Sequence, residues 1–171
     1  MWYYYKQIIM KKALFVIDVQ NYFINSQTKV LPKKIRQYIE KNKKKFDLIV
    51  FTHFVNDATA SVFRLLNWKE CSISPQIDIV EELRPVLKYG KVFAKNVYSV
   101  LKITQVKNLL KQYNIQELYL CGIDTDCCIL ATAYDGFDQG YKIHLLEDLC
   151  TASSSIKLHS AALSIFKRNL S

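Results

Sequence analysis

Three side chains with complementary chemistry follow apolar runs of the sequence: the carboxylate of Asp18, the ammonium of Lys95 and the thiol of Cys128. A thiol attacks an amide-type carbonyl when a neighbouring group takes its proton and later returns it to the leaving group, and a carboxylate can do both. A lysine cation between them would lower the pKa of both groups and hold them in register. These residue types are therefore sufficient for nucleophilic acyl transfer to water without a metal.

The thiol belongs to residues 118–133, which predict a buried strand, a polar turn and a helix that begins near Thr125 or Asp126. A thiol in the first turn of a helix lies near the positive end of the helix dipole, which favours the thiolate. Backbone N–H groups left unpaired at the same helix start could bind a developing oxyanion. One local arrangement would thus supply both a nucleophile and an oxyanion hole.

Each candidate also has a purely structural interpretation. Asp18 could be a turn residue, which is common after a strand. Lys95 could be a surface lysine with a buried stem, particularly if its strand lies at an edge of the sheet. Cys127 and Cys128 could be small apolar residues that pack a strand–helix junction.

Five apolar runs predict five strands, at residues 13–17, 47–53, 91–99, 118–121 and 140–148. Apolar residues at helical spacing predict helices that begin at Pro32, cross 106–113 and span 155–169. Strands that alternate with amphipathic helices indicate a parallel sheet covered on both faces, and such sheets bind ligands where their strands end. We predict a single α/β domain over residues 1–171, with 1–9 as an N-terminal extension.

Residues 54–91 form a long segment with only short helical fragments. Segments of this length in compact domains are often lids or substrate walls. Asn56, Phe63, Trp68 and Tyr89 are candidates for such a wall, although residues of this kind more often anchor an irregular segment to the core.

Composition limits the classes of protein that fit. The chain has 171 residues, of which 50% are hydrophobic, so it can bury a substantial core. Its net charge of +9 is concentrated in the lysines of 33–45, and no zinc-finger or aromatic-basic pattern indicates nucleic-acid binding. Five cysteines without a CxxC pair, and no apolar run that could span a bilayer, predict a soluble cytoplasmic protein with reduced thiols.

Two other kinds of functional site fit the sequence less well. A papain-like cysteine–histidine pair would need His53, His144 or His159, and the last two lie inside a predicted strand and a predicted helix. A nucleotide-binding turn would need glycines after the first strand, where residues 18–21 are Asp, Val, Gln and Asn.

Three motifs occur in order at the predicted strand ends: D-x-Q-x-x-F at 18–23, K-x-x-Y-S at 95–99 and G-x-x-T-D-x-C-[VI]-x-x-T-A at 122–133. With these motifs the chain resembles the isochorismatase-like cysteine hydrolases, which include nicotinamidases and N-carbamoylsarcosine amidases, from Lys11 to about Arg168. The resemblance implies a three-layer α/β/α sandwich with a mostly parallel sheet of five or six strands in the order 3-2-1-4-5.

The resemblance also implies roles for single residues. Cys128 would be the nucleophile, Asp18 the proton shuttle and Lys95 their charged partner. A cis peptide between Ile123 and Asp124 would help to form an oxyanion hole with the amides of Asp124 and Cys128. The predicted substrate-binding residues are Phe23, Phe54, Asn56, Trp68 and Tyr98.

One departure from the family concerns metal binding. Nicotinamidases carry a D-x-H…H pattern after the second strand, whereas this chain has only His53 there, so we predict no metal site and no cofactor. The F-x-N and N-W segments at 54–56 and 67–68 resemble instead an uncharacterised bacterial branch of the family.

The predicted function is therefore that of a metal-independent cysteine hydrolase that cleaves a C–N bond of a small amide through a thioester on Cys128. Alternatives are a non-catalytic small-molecule-binding or regulatory protein, an isochorismatase-type vinyl-ether hydrolase, and a thiol-redox protein that uses Cys127 with Cys128. We predict a homodimer or larger homo-oligomer, with Trp2, Tyr3, Tyr4 and Tyr5 at a subunit contact. No nucleic-acid or membrane partner is expected.

Overall fold

A parallel sheet of five strands, in the order β3-β2-β1-β4-β5, organises the computed structural model, which describes residues 10–170. The strands are β1 (Lys11–Ile17), β2 (Leu48–Phe54), β3 (Lys91–Lys95), β4 (Ile115–Gly122) and β5 (Lys142–Cys150). The α-helices of this part of the chain are α1 (Leu31–Asn42), α2 (Ser61–Leu65), α3 (Arg84–Leu87), α4 (Thr104–Gln112), α5 (Leu130–Asp138) and α6 (Ile156–Leu170). The order of the strands confirms the predicted topology.

The central strand is β1, which pairs with β2 on one side and with β4 on the other. Its residues from Ala13 to Ile17 are all buried. Because successive side chains of a strand point to opposite faces, burial of every one of them requires that both faces of the sheet be covered.

Helices cover the two faces and produce three layers. On one face, the ring of Tyr38 in α1 lies 6.4 Å from the ring of Phe46, which lies 5.4 Å from the ring of Tyr119 in β4. On the other face, α5 approaches so closely that a Cβ on Gly136 would lie 3.3 Å from Cδ1 of Leu118, the neighbour of Tyr119 in β4. Since neighbouring strand residues face opposite ways, α1 and α5 lie on opposite sides, which confirms the predicted α/β/α sandwich.

Two strands end at residues that differ from those predicted by the apolar pattern. β3 ends at Lys95 rather than at residue 99, because the chain turns there and Ser99 accepts a hydrogen bond of 3.1 Å from the Leu101 amide. β5 continues to Cys150, since a shift of register lets Cys150 pair with Gly122 after the regular β4 pairing has ended.

The segment between β2 and β3 has its own small core. Phe54, Ala60, Val62 and Cys71 are buried together, with Phe63 and Trp68 among the rings that pack against them. The predicted wall segment thus contains only short helices, namely α2, α3 and a 3-10 turn at Glu81–Leu83, but is anchored next to the ends of β2 and β3.

Gly122 is required by the close approach of β4 to β1. It has φ +124°, and a Cβ there would lie against the carbonyl oxygen of Ile17 and 2.7 Å from its nitrogen. We expect Gly122→Ala to lower the free energy of unfolding, measured by urea denaturation, by at least about 3 kcal/mol. Gly140→Ala is the matched control: Gly140 has φ +85° but nothing within 4 Å of its Cβ position, so the cost should be about 1 kcal/mol. Equal costs for the two variants would contradict the steric explanation.

Among residues 10–170, no helix combines the length and the apolarity needed to cross a membrane. The predicted extension at 1–9, with the subunit contact assigned to its four aromatic residues, lies outside the described residues.

Candidate active site

Asp18 follows β1 directly, at the carboxyl edge of the sheet, and is completely buried. Its backbone has φ +51°, a conformation that aspartate tolerates better than most residues, and its amide donates to the Thr52 carbonyl at 3.1 Å. The hydroxyl of Thr52 donates to Oδ1 of Asp18 at 2.7 Å. β2 thereby fixes the carboxylate and leaves Oδ2 directed at a second partner.

That partner is Lys95, whose Nζ lies 2.6 Å from Oδ2 of Asp18. The same ammonium lies 3.3 Å from Sγ of Cys128, donates to the Val97 carbonyl at 2.9 Å and stands 5.1 Å from the centroid of the Phe54 ring. Burial is the largest single effect and disfavours the charged lysine, but the charges of Asp18 and Cys128 and the hydrogen bonds with them together outweigh it, so the pKa of Lys95 is raised. The ammonium thus has three polar partners within the protein, one through an ion pair and two through hydrogen bonds.

Cys128 lies in a π-helical turn, Thr125–Ile129, that leads from β4 into α5. The predicted helix start is therefore confirmed in position, although its first turn is wider than an α-helical one, a deviation frequent at functional sites. The turn is held by Thr132, whose hydroxyl donates to the Cys128 carbonyl at 2.7 Å and accepts from the Val100 amide at 3.1 Å.

The protonation of Cys128, the candidate nucleophile, differs from the expectation. A hydrogen bond with Cys127, burial and the charge of Asp18 together raise the pKa of the Cys128 thiol well above its ordinary value, while Lys95 opposes the rise. The hydrogen bond with Cys127, burial and Asp18 together therefore favour the neutral thiol over the thiolate that was expected at the helix start. A reaction that uses this sulfur as a nucleophile would need a proton acceptor, and the Asp18 carboxylate lies close enough to Lys95 and Cys128 to be one.

Cys127 is part of the site, although the sequence analysis gave it no role in hydrolysis. Its hydrogen bond with Cys128 lowers the pKa of its thiol, and burial and Asp124 oppose that effect. It is only partly buried and its sulfur also reaches the hydroxyl of Tyr98. The pair of adjacent cysteines was the signal that could have revealed it.

The predicted oxyanion hole lies at the start of the π-helical turn. The peptide between Ile123 and Asp124 is cis, as the resemblance implied, and Asp124 precedes the turn with extended backbone. The Asp124 carboxylate accepts from the amide and, at 3.0 Å, from the hydroxyl of Ser153. Burial nevertheless raises its pKa.

A cavity of about 240 Å³ opens above the thiol. Four of the predicted substrate-binding residues, Phe23, Phe54, Trp68 and Tyr98, line it together with Asp124, Cys127 and Cys128. The rings of Phe54 and Trp68 stack at 6.1 Å with an interplanar angle of 24°. The cavity therefore presents aromatic walls around the side chains of two cysteines.

The fifth predicted residue, Asn56, is not among those that line this cavity. It is completely buried, and its side-chain amide donates to the carbonyls of Trp68 and Glu70 at 2.8 and 2.9 Å. It holds the loop that presents Trp68. Of the other wall candidates, Phe63 packs in the small core, and Tyr89 lies beside Lys43 and Lys88 outside the cavity lining.

Gln20 is a structural residue of the site that the sequence analysis left without a role. Its side chain is completely buried, accepts from the Phe54 amide at 2.6 Å and donates to the Phe54 carbonyl at 3.0 Å. It thereby fixes the end of β2, and with it the aromatic wall. Its place two residues after Asp18 in the first motif was the available signal.

The sequence of this chain is similar to those of a known protein family. The model of the isochorismatase domain family matches residues 12–170. An uncharacterized isochorismatase family protein of Bacillus subtilis, YddQ, is 29% identical over 154 residues, which cover 85% of this chain and 80% of that protein.

Solved structures agree in fold. The nicotinamidase PncA from Bacillus subtilis has a TM-score of 0.83 at 24% identity, covering 94% of this chain and 97% of its own. The N-carbamoylsarcosine amidase from Thermoplasma acidophilum has a TM-score of 0.81 at 23% identity, covering 94% and 93%. These findings confirm the resemblance and the fold class inferred from the three motifs, and they support a hydrolase role.

Proposed function

We propose, since the chain belongs to the isochorismatase family, that it is a metal-independent cysteine hydrolase that cleaves the C–N bond of a small amide through a thioester on Cys128. The observation that carries this proposal is the position of Lys95: its Nζ contacts Oδ2 of Asp18 at 2.6 Å and Sγ of Cys128 at 3.3 Å, in a site closed to solvent. Structural neighbours named as a nicotinamidase and an amidase act on related bonds, which favours an amide as the substrate.

The acylation half of the reaction follows from these contacts. Asp18 takes the proton of the Cys128 thiol as the sulfur attacks the carbonyl carbon, and the amides of Asp124 and Cys128 bind the oxyanion. When the C–N bond breaks, Asp18 returns the proton to the leaving nitrogen, which departs as an amine or as ammonia. Lys95 stabilises the negative charge on whichever of the two groups carries it.

In hydrolysis of the thioester, water is the nucleophile and the sulfur of Cys128 is the leaving group. Asp18 takes a proton from water as its oxygen attacks the acyl carbon, and the proton passes to the departing sulfur when the C–S bond breaks. The products are a carboxylic acid and the free thiol, so the resting enzyme is restored.

This mechanism requires no metal. Among residues 10–170, no three His, Cys, Asp or Glu side chains converge in a group that could hold an ion. His53, the residue nearest to the metal pattern of nicotinamidases, contacts the Ile77 carbonyl at 2.9 Å through Nδ1. The positive charge that a metal would supply is already present in Lys95.

A purely binding role is less compatible with the buried ion pair. Both side chains of the pair are fully shielded from solvent. Replacing a buried ion pair by apolar residues is often neutral or stabilising, so stability alone does not explain its presence. A proton-transfer site, in contrast, needs both charges.

Localisation and assembly are part of the same proposal. We place the enzyme in the cytoplasm, because all five cysteines are free and four are buried, as is usual in reducing compartments. We also propose a homodimer or larger homo-oligomer, which the exposed apolar side chains of Ile156, Leu158 and Ile165 in α6 favour.

Alkylation by iodoacetamide at neutral pH, followed by intact-mass and peptide-level mass spectrometry, tests the nucleophile. Cys127 is more exposed than Cys128 and has a lowered pKa, so the experiment uses Cys127→Ser as the background. We expect modification at a single site that disappears when Cys128→Ser is added, and because the pKa of Cys128 is raised, the rate of this modification should increase as the pH rises above neutral. Absence of modification at Cys128 over that whole pH range would overturn the proposal.

A further inference from the structure

We infer that the substrate is an amide whose acyl group carries an uncharged apolar extension, and that this extension lies in a second hollow beside the catalytic cavity. The inference rests on the proposed function and adds the class of substrate to it. It is supported by the geometry of the two hollows and by the absence of positively charged side chains from the described residues that line them.

The second hollow adjoins the first and shares walls with it. It has a volume of about 280 Å³, and Val62, Leu66 and Tyr98 line both hollows. Its own walls include Leu65 at the end of α2 and Val97 in the turn after β3. An acyl group bound to Cys128 can therefore continue past the shared side chains into the second hollow.

The size of the two hollows indicates an extended ligand. Pockets for small molecules usually enclose about 300–1,000 Å³, and the cavity above Cys128 alone falls below that range. With the second hollow included, the space falls within the range. Leu65 and Leu66 are 77% and 68% exposed, so an apolar ligand would remove a considerable apolar surface from water.

The described residues that line the second hollow include the polar side chains of Ser61 and Asn96 but offer no charged partner to a charged extension. Among the described residues that line the second hollow there is no ionisable acid or base other than the tyrosine hydroxyl. In the cavity, the carboxylate of Asp124 is bound by Ser153. Lys95, the nearest cation to the thiol, already contacts Asp18, Cys128 and the Val97 carbonyl. A buried carboxylate or phosphate would remain unpaired, which is costly.

A series of p-nitrophenyl esters tests the inference, from the acetyl to the hexanoyl ester, with a six-carbon acyl group that ends in a carboxylate as the charged member. Acylation of Cys128 is followed by the burst of p-nitrophenol in Cys127→Ser, with Cys127→Ser/Cys128→Ser subtracted as background. We expect the acylation rate constant to rise by roughly threefold per added methylene, as transfer of apolar surface from water predicts. For the carboxylate-terminated ester, this increase in the acylation rate constant should be absent.

Two substitutions of exposed residues test where the apolar extension of the acyl group binds. Leu65→Asp introduces a charge into the second hollow only, and it should abolish the dependence of the rate on chain length. Ile73→Asp is the matched control, because Ile73 is 69% exposed but lies outside both linings, and it should retain that dependence.

The contrary outcomes are distinct. Acylation of Cys128 at rates independent of chain length would overturn the apolar extension and leave the cysteine hydrolase standing. Failure of every ester to acylate Cys128 would overturn both. If Leu65→Asp left the chain-length dependence intact but changed the sedimentation coefficient, the hollow would be a contact between copies of the chain, and the inference would be wrong.

Discussion

Asp18→Asn is expected to change two reactivities of Cys128 in opposite directions. Amide hydrolysis should fall by at least about 10³-fold, because asparagine cannot take the thiol proton and return it to the leaving nitrogen. Alkylation by iodoacetamide needs only the thiolate. The charge of Asp18 raises the pKa of Cys128, so its removal lowers that pKa, and alkylation at neutral pH should become faster.

The two reactions are measured on the same preparations. Hydrolysis is followed by release of ammonia or aniline from the best member of a panel of primary amides and acyl anilides, and alkylation by mass spectrometry on the Cys127→Ser background. Asp138→Asn, an exposed position at the end of α5, is the control and should alter neither reaction. A parallel loss of hydrolysis and alkylation would contradict the assignment of Asp18 as a proton shuttle.

Lys95→Met should have the largest combined effect on stability and activity. It removes the cation from a pair whose side chains are fully buried, so the carboxylate of Asp18 is left without its charged partner. Breaking a buried pair in this way lowers the free energy of unfolding by roughly 3–5 kcal/mol. Since Lys95 also lowers the pKa of Cys128, alkylation at neutral pH should become slower and amide hydrolysis should be lost.

Urea denaturation and the same two reactions measure these effects. The control is Lys102→Met, because Lys102 pairs with Asp135 at 3.3 Å on the surface with 63% of its side chain exposed, and such pairs contribute little. Adding Asp18→Asn to Lys95→Met should restore most of the stability but none of the hydrolysis. A stable, active Lys95→Met variant would show that the pair has no part in catalysis.

The sequence allowed the positions of the candidate catalytic residues at strand ends to be predicted, and the structure brings these side chains together. Apolar runs that end in polar residues mark strand ends, and the ends of parallel strands meet at one edge of a sheet. The order of the strands was not visible in those runs. It came from the family resemblance, because pairing between strands depends on contacts between residues far apart in sequence.

Lys95 shows where a local rule fails. The interpretation as a surface lysine depended on whether its strand lies at an edge of the sheet, and β3 is indeed an edge strand. Lys95 is nevertheless 4% exposed, because its side chain passes over Phe54 at the end of β2 to reach Asp18 beyond it. Exposure of the strand therefore did not determine the exposure of its last side chain.

The properties that the sequence did not reveal depend on the environment of a side chain rather than on its type. Asn56 faces the carbonyl groups of its own loop, and nothing in its sequence neighbourhood distinguished that role from lining the cavity. The pKa of Cys128 depends on how deeply the sulfur is buried and on the orientation of Cys127, both of which require the folded structure.

The positive charge of Lys95, buried beside Asp18 and Cys128, has a consequence for the proposed reaction. With Lys95 positive, Asp18 negative and Cys128 neutral, the buried set carries no net charge before the reaction. The thioester form has the same sum, since an acylated sulfur is also neutral and Asp18 has given its proton to the leaving nitrogen. In the proposed mechanism the resting form and the thioester form are thus both electroneutral, so no counter-ion has to enter the cavity with the substrate.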